Sequence, residues 1–338
     1  MRIVIVGGSG NVGTAVLRAA IAAGHTVHAV SRRGPATGGE YDAATWHSID
    51  LTTPAAPDSL REVFAGADAV VHAGWAIQPS HDRERLRAVN VLGSRAVLEG
   101  VQGAGVPHLV YLSSVGAYAP RTSLDPVDES WPATGLRTSS YSEDKAAVEA
   151  MLDRFEAANG ATGVTRLRPA LILQRDAAAE IQRYFIGAFV PRALWGLARG
   201  GKLPVLPVPR GLVLQFVHAS DVADAVLAAA ERGVRGAVNL ASAPVLDAQG
   251  LSRITGGRVV PVPAAVVRGA VDLAWRAKVL PTSPGWIDLA LSVPVMDTER
   301  AADVLGWRPA HAAPSAVADL LDGLAEGAGV PSSPALRP

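Results

Sequence analysis

The stretch RIVIVGGSGNVGTAVLRAAIAAG, residues 2–24, constrains the fold more than any other part of this 338-residue chain. Its short β-branched run reads as a buried strand, the glycines end it, and NVGTAVLRAAIAAG reads as a helix closed by Gly24. Gly7, Gly10 and Gly13 let the turn between them bring backbone close to a ligand. The first helical residues, Asn11, Val12 and Gly13, then offer N–H groups and the positive end of the helix dipole to a pyrophosphate. A plain glycine turn is the alternative, and the position at the first strand-to-helix junction speaks against it.

The same beat continues. HTVHAVSR, DAVVHAG, HLVYLSS and GVTRLRPALIL read as strands, separated by helical patterns in SLREVFAGA, in one long helix RLRAVNVLGSRAVLEGVQGAG, and in the segment from Tyr141. Strands alternating with helices imply right-handed βαβ units, hence an α/β fold with a doubly wound parallel sheet of the Rossmann type. Beyond residue 174 the pattern loses regularity, until GLVLQFVHASDVADAVLAAAERG resumes it. The expected division is a dinucleotide-binding domain of residues 1–173 plus about 212–243, and a smaller carboxy-terminal substrate-binding lobe of about 174–211 and 244–326. GAGVPSSPALRP (327–338) reads as a flexible tail.

Composition excludes several function classes. Lys plus Arg and Asp plus Glu both number 31, so no net field draws the chain to nucleic acid or an anionic membrane, although local patches remain open. The absence of cysteine removes thiol catalysis, disulfides and cysteine-based metal sites, and fits a reducing cytoplasm. His25 and His28 fall on an expected strand rather than in a metal-binding pattern, so no metal is expected. The apolar run in MRIVIVGG is too short for a signal peptide, and YFIGAFVPRALWGLA (184–198) carries Pro191 and Arg192 and falls short of the ~20 residues of a membrane span. That segment reads as a buried or substrate-facing helix, and the expected partner is a small molecule.

The second strand ends in AVSRRG, where Ser31 and Arg32 stand in place of the acidic residue that would hold free ribose hydroxyls. A hydroxyl and guanidinium groups suit a ribose 2′-phosphate, which favours NADP over NAD. A solvated basic turn is the competing reading. Asp50 and Leu51 are candidates to hold the adenine, with a turn-capping Asp as the alternative, and the small residues Ala73 and Gly74 of HAGWA would let backbone approach the cofactor.

In YSEDK, Tyr141 and Lys145 are four apart and share a helix face with Val148, Leu152 and Phe155. A lysine on an apolar stripe is costly without a partner. A phenol of pKa ~10 can move protons near neutrality if a nearby cation stabilises its anion, and Lys145 is placed to do so. A hydroxyl from VYLSSVGAY, at the carboxyl end of a strand, would polarise a substrate carbonyl.

Taken in order, GGSGNVG, DL at 50, HAGWA, NVLGS, LSSVGAY, YSEDK, LRPALIL, FVHASDVADA and LGWRP resemble the extended short-chain dehydrogenase/reductase superfamily, in its NAD-dependent epimerase/dehydratase group, over roughly residues 1–310. The resemblance implies that Tyr141 is the catalytic acid/base, that Lys145 is its pKa partner and a ribose ligand, and that Ser114 polarises the substrate, with Ser113 the weaker candidate. It places Asn90 beside the cofactor. Asp221 matches a recurrent family position, but Ser220 and Asp221 also read as structural caps of a helix from Val222.

The pattern departs from nucleotide-sugar enzymes of the group at Leu214, where an arginine for the substrate diphosphate is expected, at SPGW (283–286), and at PALIL after Arg168. Six basic residues, Arg175, Arg183, Arg192, Arg199, Lys202 and Arg210, leave a rebuilt anion site open, whereas Tyr184, Phe185, Phe189 and Trp195 suit a less polar substrate. The expected activity is NADP-dependent hydride transfer between nicotinamide and a carbonyl or alcohol. The alternatives are an NDP-sugar epimerase or dehydratase and a non-catalytic NADP-sensing protein. Family practice also implies a homodimer through helices at about 83–103 and 141–158.

Overall fold

A computed structural model describes residues 1–34, 38–186, 190–334 and 336–337. Its first half runs β1 (Arg2–Val6), α1 (Asn11–Ala22), β2 (Thr26–Ser31), β3 (Thr45–Ser48), α2 (Ala56–Phe64), β4 (Ala69–His72), α3 (Arg83–Arg87), α4 (Gly93–Ala104), β5 (His108–Leu112) and α5 (Ser140–Ala158). Then follow β6 (Gly163–Pro169), β7 (Leu171–Leu173), α6 (Ala178–Ile181), α7 (Arg192–Arg199), β8 (Val205–Pro209), β9 (Val213–His218), α8 (Ala219–Arg232), β10 (Gly236–Leu240) and β11 (Ser242–Asp247). The remainder is α9 (Ala248–Thr255), β12 (Arg258–Val262), α10 (Ala264–Arg276), α11 (Gly285–Ser292), α12 (Glu299–Leu305) and α13 (Ala313–Glu326).

Seven parallel strands form the main sheet in the order β10-β6-β5-β4-β1-β2-β3. The alternation within β1 explains how both faces are covered. Ile3 and Ile5 join a core with Val16 and Leu17 of α1 and Val222 and Val226 of α8, while Val4 and Val6 join a second core with Leu60 and Phe64 of α2, Val97 and Val101 of α4, and Val148 and Leu152 of α5. Each such buried side chain contributes about 1.5–3 kcal/mol. The strand order reverses between β1 and β4, and ligands of open α/β sheets bind outside the carboxyl ends of the strands at such a point.

Four expectations change in detail. The long helix expected through residues 85–105 is interrupted by a π-helical turn at Ala88–Leu92, between α3 and α4. The strand at 213–218 does not enter the main sheet: β9 pairs with β7 and β11 in a three-stranded sheet, and the return to the main sheet is made by β10. Helix α8 begins at Ala219 rather than Val222, because His218 caps it by accepting from the Ser220 N–H. The tail expected to be flexible packs onto the body: Leu336 and Val330 are buried, and the Ser333 hydroxyl donates to the Ser9 carbonyl of the glycine turn. Among the described residues, no helix is long and apolar enough to cross a membrane.

Candidate active site

The glycine turn is defined by what a side chain would strike. A Cβ at Gly7, whose φ is +86°, would lie 2.5 Å from Gly74 Cα, and one at Gly13 would lie 2.0 Å from the Gly7 carbonyl oxygen. The turn after β1 therefore nests against the backbone after β4, where the Ala73 N–H donates to Val6 O at 2.9 Å. Gly10 caps α1 without a side chain, which leaves its first N–H groups open to a ligand. Val12 packs against the core, and the Asn11 carbonyl and side chain accept from Gln174.

At the end of β2, the Ser31 hydroxyl donates to the Arg33 carbonyl at 2.7 Å, and the Ser48 hydroxyl donates to the Arg32 carbonyl at 3.0 Å. These bonds fix the backbone and leave the Arg32 side chain exposed. Asp50 accepts from the N–H and hydroxyl of Thr52, bonds that hold its carboxyl below the usual range with help from the Arg32 charge. The capping arrangement weighed for it is thus present. Leu51 packs against Gly93, where a Cβ would lie 3.0 Å away.

Asn90 occupies the π-helical turn, and its amide accepts from Ala76 N at 2.7 Å and donates to Ala76 O at 3.2 Å. It pins the loop after β4. The bidentate pair from Arg83 to the buried Asp144, at 2.6 and 2.7 Å, ties α3 to α5 beside it.

Tyr141 and Lys145 lie in the first turns of α5, which Ser139 caps. Burial pushes the Tyr141 phenol up to about 12, opposed by the neighbouring Ser114 hydroxyl. Burial likewise lowers Lys145 to about 7, opposed by the charges of Glu149 and Asp144. The Lys145 ammonium donates to Leu112 O at 2.7 Å and faces the Trp75 ring. The two serines separate cleanly. Ser113 donates at 2.6 Å to the buried Glu149, which also binds Arg168 at 2.9 and 3.0 Å, whereas Ser114 lies beside Tyr141 and accepts from Gly116 N at 3.0 Å. A Cβ at Gly116 would lie 2.9 Å from the Tyr141 ring and 3.3 Å from Ser114 Oγ, so glycine is what lets them meet.

The sequence reading missed Gly116, the role of Trp75, and the wall opposite Tyr141. Trp286, in the very SPGW segment that replaces the expected arginine, lies with its ring centroid 4.9 Å from that of Tyr141, and Phe185 packs edge-on against it at 4.8 Å. Gly285 permits the approach, since a Cβ there would lie 2.1 Å from Thr138 O. Ile77, Leu86, Trp275 and Trp286 line the resulting pocket with Tyr141, together with the polar Gln78, Ser80, Asn90, Ser140, Asp144 and Ser283. Leu214 is buried; Arg175 and Arg199 pair with Glu326 and Asp322 of α13; Trp195 packs against the core; Phe189 lies outside the described residues. Asp221 is structural in its contacts, accepting from the N–H and ring of His311 at 3.0 and 2.9 Å while Trp307 donates to its carbonyl at 2.7 Å.

The chain is similar to known proteins. The chain is 28% identical over 293 residues to a 4-hydroxy-2-methyl-3-oxo-4-farnesyl-3,4-dihydroquinoline-1-oxide ketoreductase of Stigmatella aurantiaca, covering 82% of each chain. It is 28% identical over 243 residues to a UDP-glucose 4-epimerase of Streptomyces lividans, covering 68% of this chain and 71% of that one. Among solved structures, a UDP-glucose-4-epimerase from Stenotrophomonas maltophila with bound NAD and formylated UDP-arabinopyranose superposes with a TM-score of 0.72 at 20% identity, over 97% of this chain and 98% of that one, and shows the fold. The profile of the NAD dependent epimerase/dehydratase family matches residues 3–241, and the chain belongs to that family.

Proposed function

We propose that this protein is an NADP-dependent reductase or dehydrogenase that interconverts an apolar carbonyl compound and its alcohol. The observation that carries the reading is the Trp286 ring against Tyr141: the segment that would grip a substrate diphosphate with an arginine instead presents an aromatic wall. An indole and a buried Leu214 supply no charge-assisted contact to phosphate, but they favour an apolar body beside the acid/base. The similarity to a ketoreductase whose named substrate carries a farnesyl chain supports it.

The residues fit a dinucleotide, because Gly7 and Gly13 leave a cradle that any Cβ would fill. Gly10, Asn11, Val12 and Gly13 would hold the pyrophosphate, Ser31 and Arg32 the ribose 2′-phosphate, Asp50 and Leu51 the adenine, and Ala73, Gly74 and Lys145 the nicotinamide side, with Asn90 fixing the loop. When bound, the cofactor supplies or accepts hydride at the nicotinamide ring. Ser114 donates a hydrogen bond to the substrate oxygen, Tyr141 delivers or removes the proton there, and the Lys145 ammonium stabilises the phenolate.

The test is to purify the protein without added nucleotide, denature it, identify any released cofactor by mass spectrometry, and titrate emptied protein with NADPH and NADH before a carbonyl screen. A reductase exchanges its cofactor each turnover, so the expected result is empty protein, tighter binding of NADPH, and turnover of apolar ketones that Tyr141→Phe abolishes. Stoichiometric bound NAD with binding of a UDP- or dTDP-sugar would overturn the reading in favour of an epimerase or dehydratase. Cofactor binding without turnover of any carbonyl would favour a sensor.

A further inference from the structure

The cavity against Tyr141 is too small for a carbonyl substrate. Its walls leave about 20 Å³, room for one water molecule and little more. One wall is the segment after β4, from Ala76 to Ser80, and facing it are Trp275, near the end of α10, and Pro281, Ser283 and Trp286 beyond it. Reaction at the Tyr141 phenol, in the reading proposed above, therefore requires a wall to move.

The wall held least is α10. None of its 13 residues is buried, and none packs against either hydrophobic core. Among the described residues, two polar contacts tie it to other segments. Arg268 donates to Asp288 of α11 at 2.8 Å. The other contact is with His81, whose Nε2 lies 3.0 Å from the Trp275 carbonyl oxygen and whose ring lies parallel to the indole, with centroids 3.4 Å apart. A carbonyl only accepts, so Nε2 carries the proton. The same carbonyl accepts from the Lys278 N–H at 2.9 Å, in the turn that ends the helix. Lys278 holds a φ of +56° there, a place that glycine usually takes, so the end of the helix that carries this clasp is strained. On the opposite side, His81 is exposed, and the bonds from Asn90 fix its loop only at Ala76.

We infer that α10 is a lid over the Tyr141 pocket, latched shut by the His81–Trp275 clasp and opened when that clasp releases. Elements with few buried apolar contacts open at low free energy, and the lids of active sites are drawn from them. Release takes Trp275 out of the wall and widens the cavity. It leaves the reacting groups in place, because Tyr141 and Lys145 stand on α5 and Ser114 follows β5, none of which the clasp touches. Trp286 also stays, since Gly285 seats α11 against Thr138. The inference rests on the proposed reading only in placing the chemistry at Tyr141.

The experiment measures the opening itself. The chain has no cysteine, so Glu84→Cys/Ala277→Cys, at exposed positions on α3 and at the end of α10, takes one nitroxide label at each site without background. Pulsed electron resonance then gives the distances between labels in the full chain, with and without His81→Ala. The expected result is a dominant short distance and a longer one, whose ratio to the short one rises at least about tenfold in His81→Ala through loss of one ring stack and one hydrogen bond. His81 is exposed, so the thermal midpoint should not change, which verifies that the variant folds. A single distance that His81→Ala leaves in place, or two distances in an unchanged ratio, overturns the lid whatever the carbonyl screen finds. Two distances that respond to His81→Ala support the lid even where no carbonyl is turned over, and that failure then counts against the proposed reaction alone.

Discussion

The Lys145 ammonium sits 3.6 Å from the centroid of the Trp75 ring, while Tyr141, whose anion it serves in the proposed function, has its ring centroid 6.0 Å from the same ammonium. The indole face offsets part of the cost of burying the cation. Burial still lowers Lys145 to about 7 from its ordinary 10.5, so the unfolded chain holds more protons between those values and stability from this group rises with pH across that window. For reduction, the ammonium must persist while Tyr141 gives up its proton. We therefore expect kcat/KM of the free enzyme to fall as pH rises through about 7, and Lys145→Arg to move that limb to higher pH. Lys145→Met should lose about 10²–10³-fold in turnover while matching or exceeding the parent in thermal midpoint. A pH profile of Lys145→Met with the parent's limb would remove Lys145 from the chemistry.

Ser113 and Ser114 should respond in opposite ways. Ser114→Ala removes a hydroxyl from beside Tyr141 and should lower kcat by about 10²-fold with stability retained. Ser113→Ala takes a donor from the buried Glu149 carboxylate and should cost about 1–3 kcal/mol of stability, read from urea unfolding, with little change in kcat. Reversal of the two phenotypes would exchange their roles.

Much of this was legible because it is local. The strand-glycine-helix succession at residues 2–24 and the spacing of Tyr141 and Lys145 both depend on neighbours in sequence. What stayed hidden is long-range. Trp286 reaches Tyr141 only because Gly285 lets α11 close on Thr138, and nothing in the pattern of SPGW announces that contact. Gly116 sits in a loop without periodicity, and its meaning appears only once the Tyr141 ring lies over it. The π-helical turn at Asn90 is invisible for another reason: the extra residue hardly disturbs the apolar spacing of α4, while the amide bonds to Ala76 that accompany it cross between segments.

Cofactor choice turns on Arg32. Its backbone is fixed by Ser48 and its side chain is exposed, so Arg32→Asp should fold normally. The new carboxylate repels a 2′-phosphate and accepts from free ribose hydroxyls, so NADPH affinity should fall about 10–100-fold while NADH affinity holds or rises. Fluorescence titration with the two nucleotides measures the ratio. An unchanged ratio would place the 2′-phosphate elsewhere or show that none is bound.

Behind the site, Glu149 is the centre of a buried network in which Arg168 donates to both its oxygens, Ser113 to one, and Arg166 approaches at 3.3 Å. Burial alone would raise its pKa, but the hydrogen bonds and charge of Arg168, then Ser113 and Arg166, hold it below the ordinary 4.5. Such a group contributes stability that is fully present above 4.5 and is lost as pH falls through its folded-state value. Glu149→Gln keeps the shape and leaves the buried Arg168 without its carboxylate, while Arg166 retains Asp153 and Glu156, which should cost about 3 kcal/mol at neutral pH. Urea midpoints taken from pH 7 downward should show the gap between parent and variant narrowing below about 4.5, because only the parent has this contribution to lose. A gap that stays constant across the acid range would mean that Glu149 stabilises the fold by shape and hydrogen bonding alone, and not through its charge.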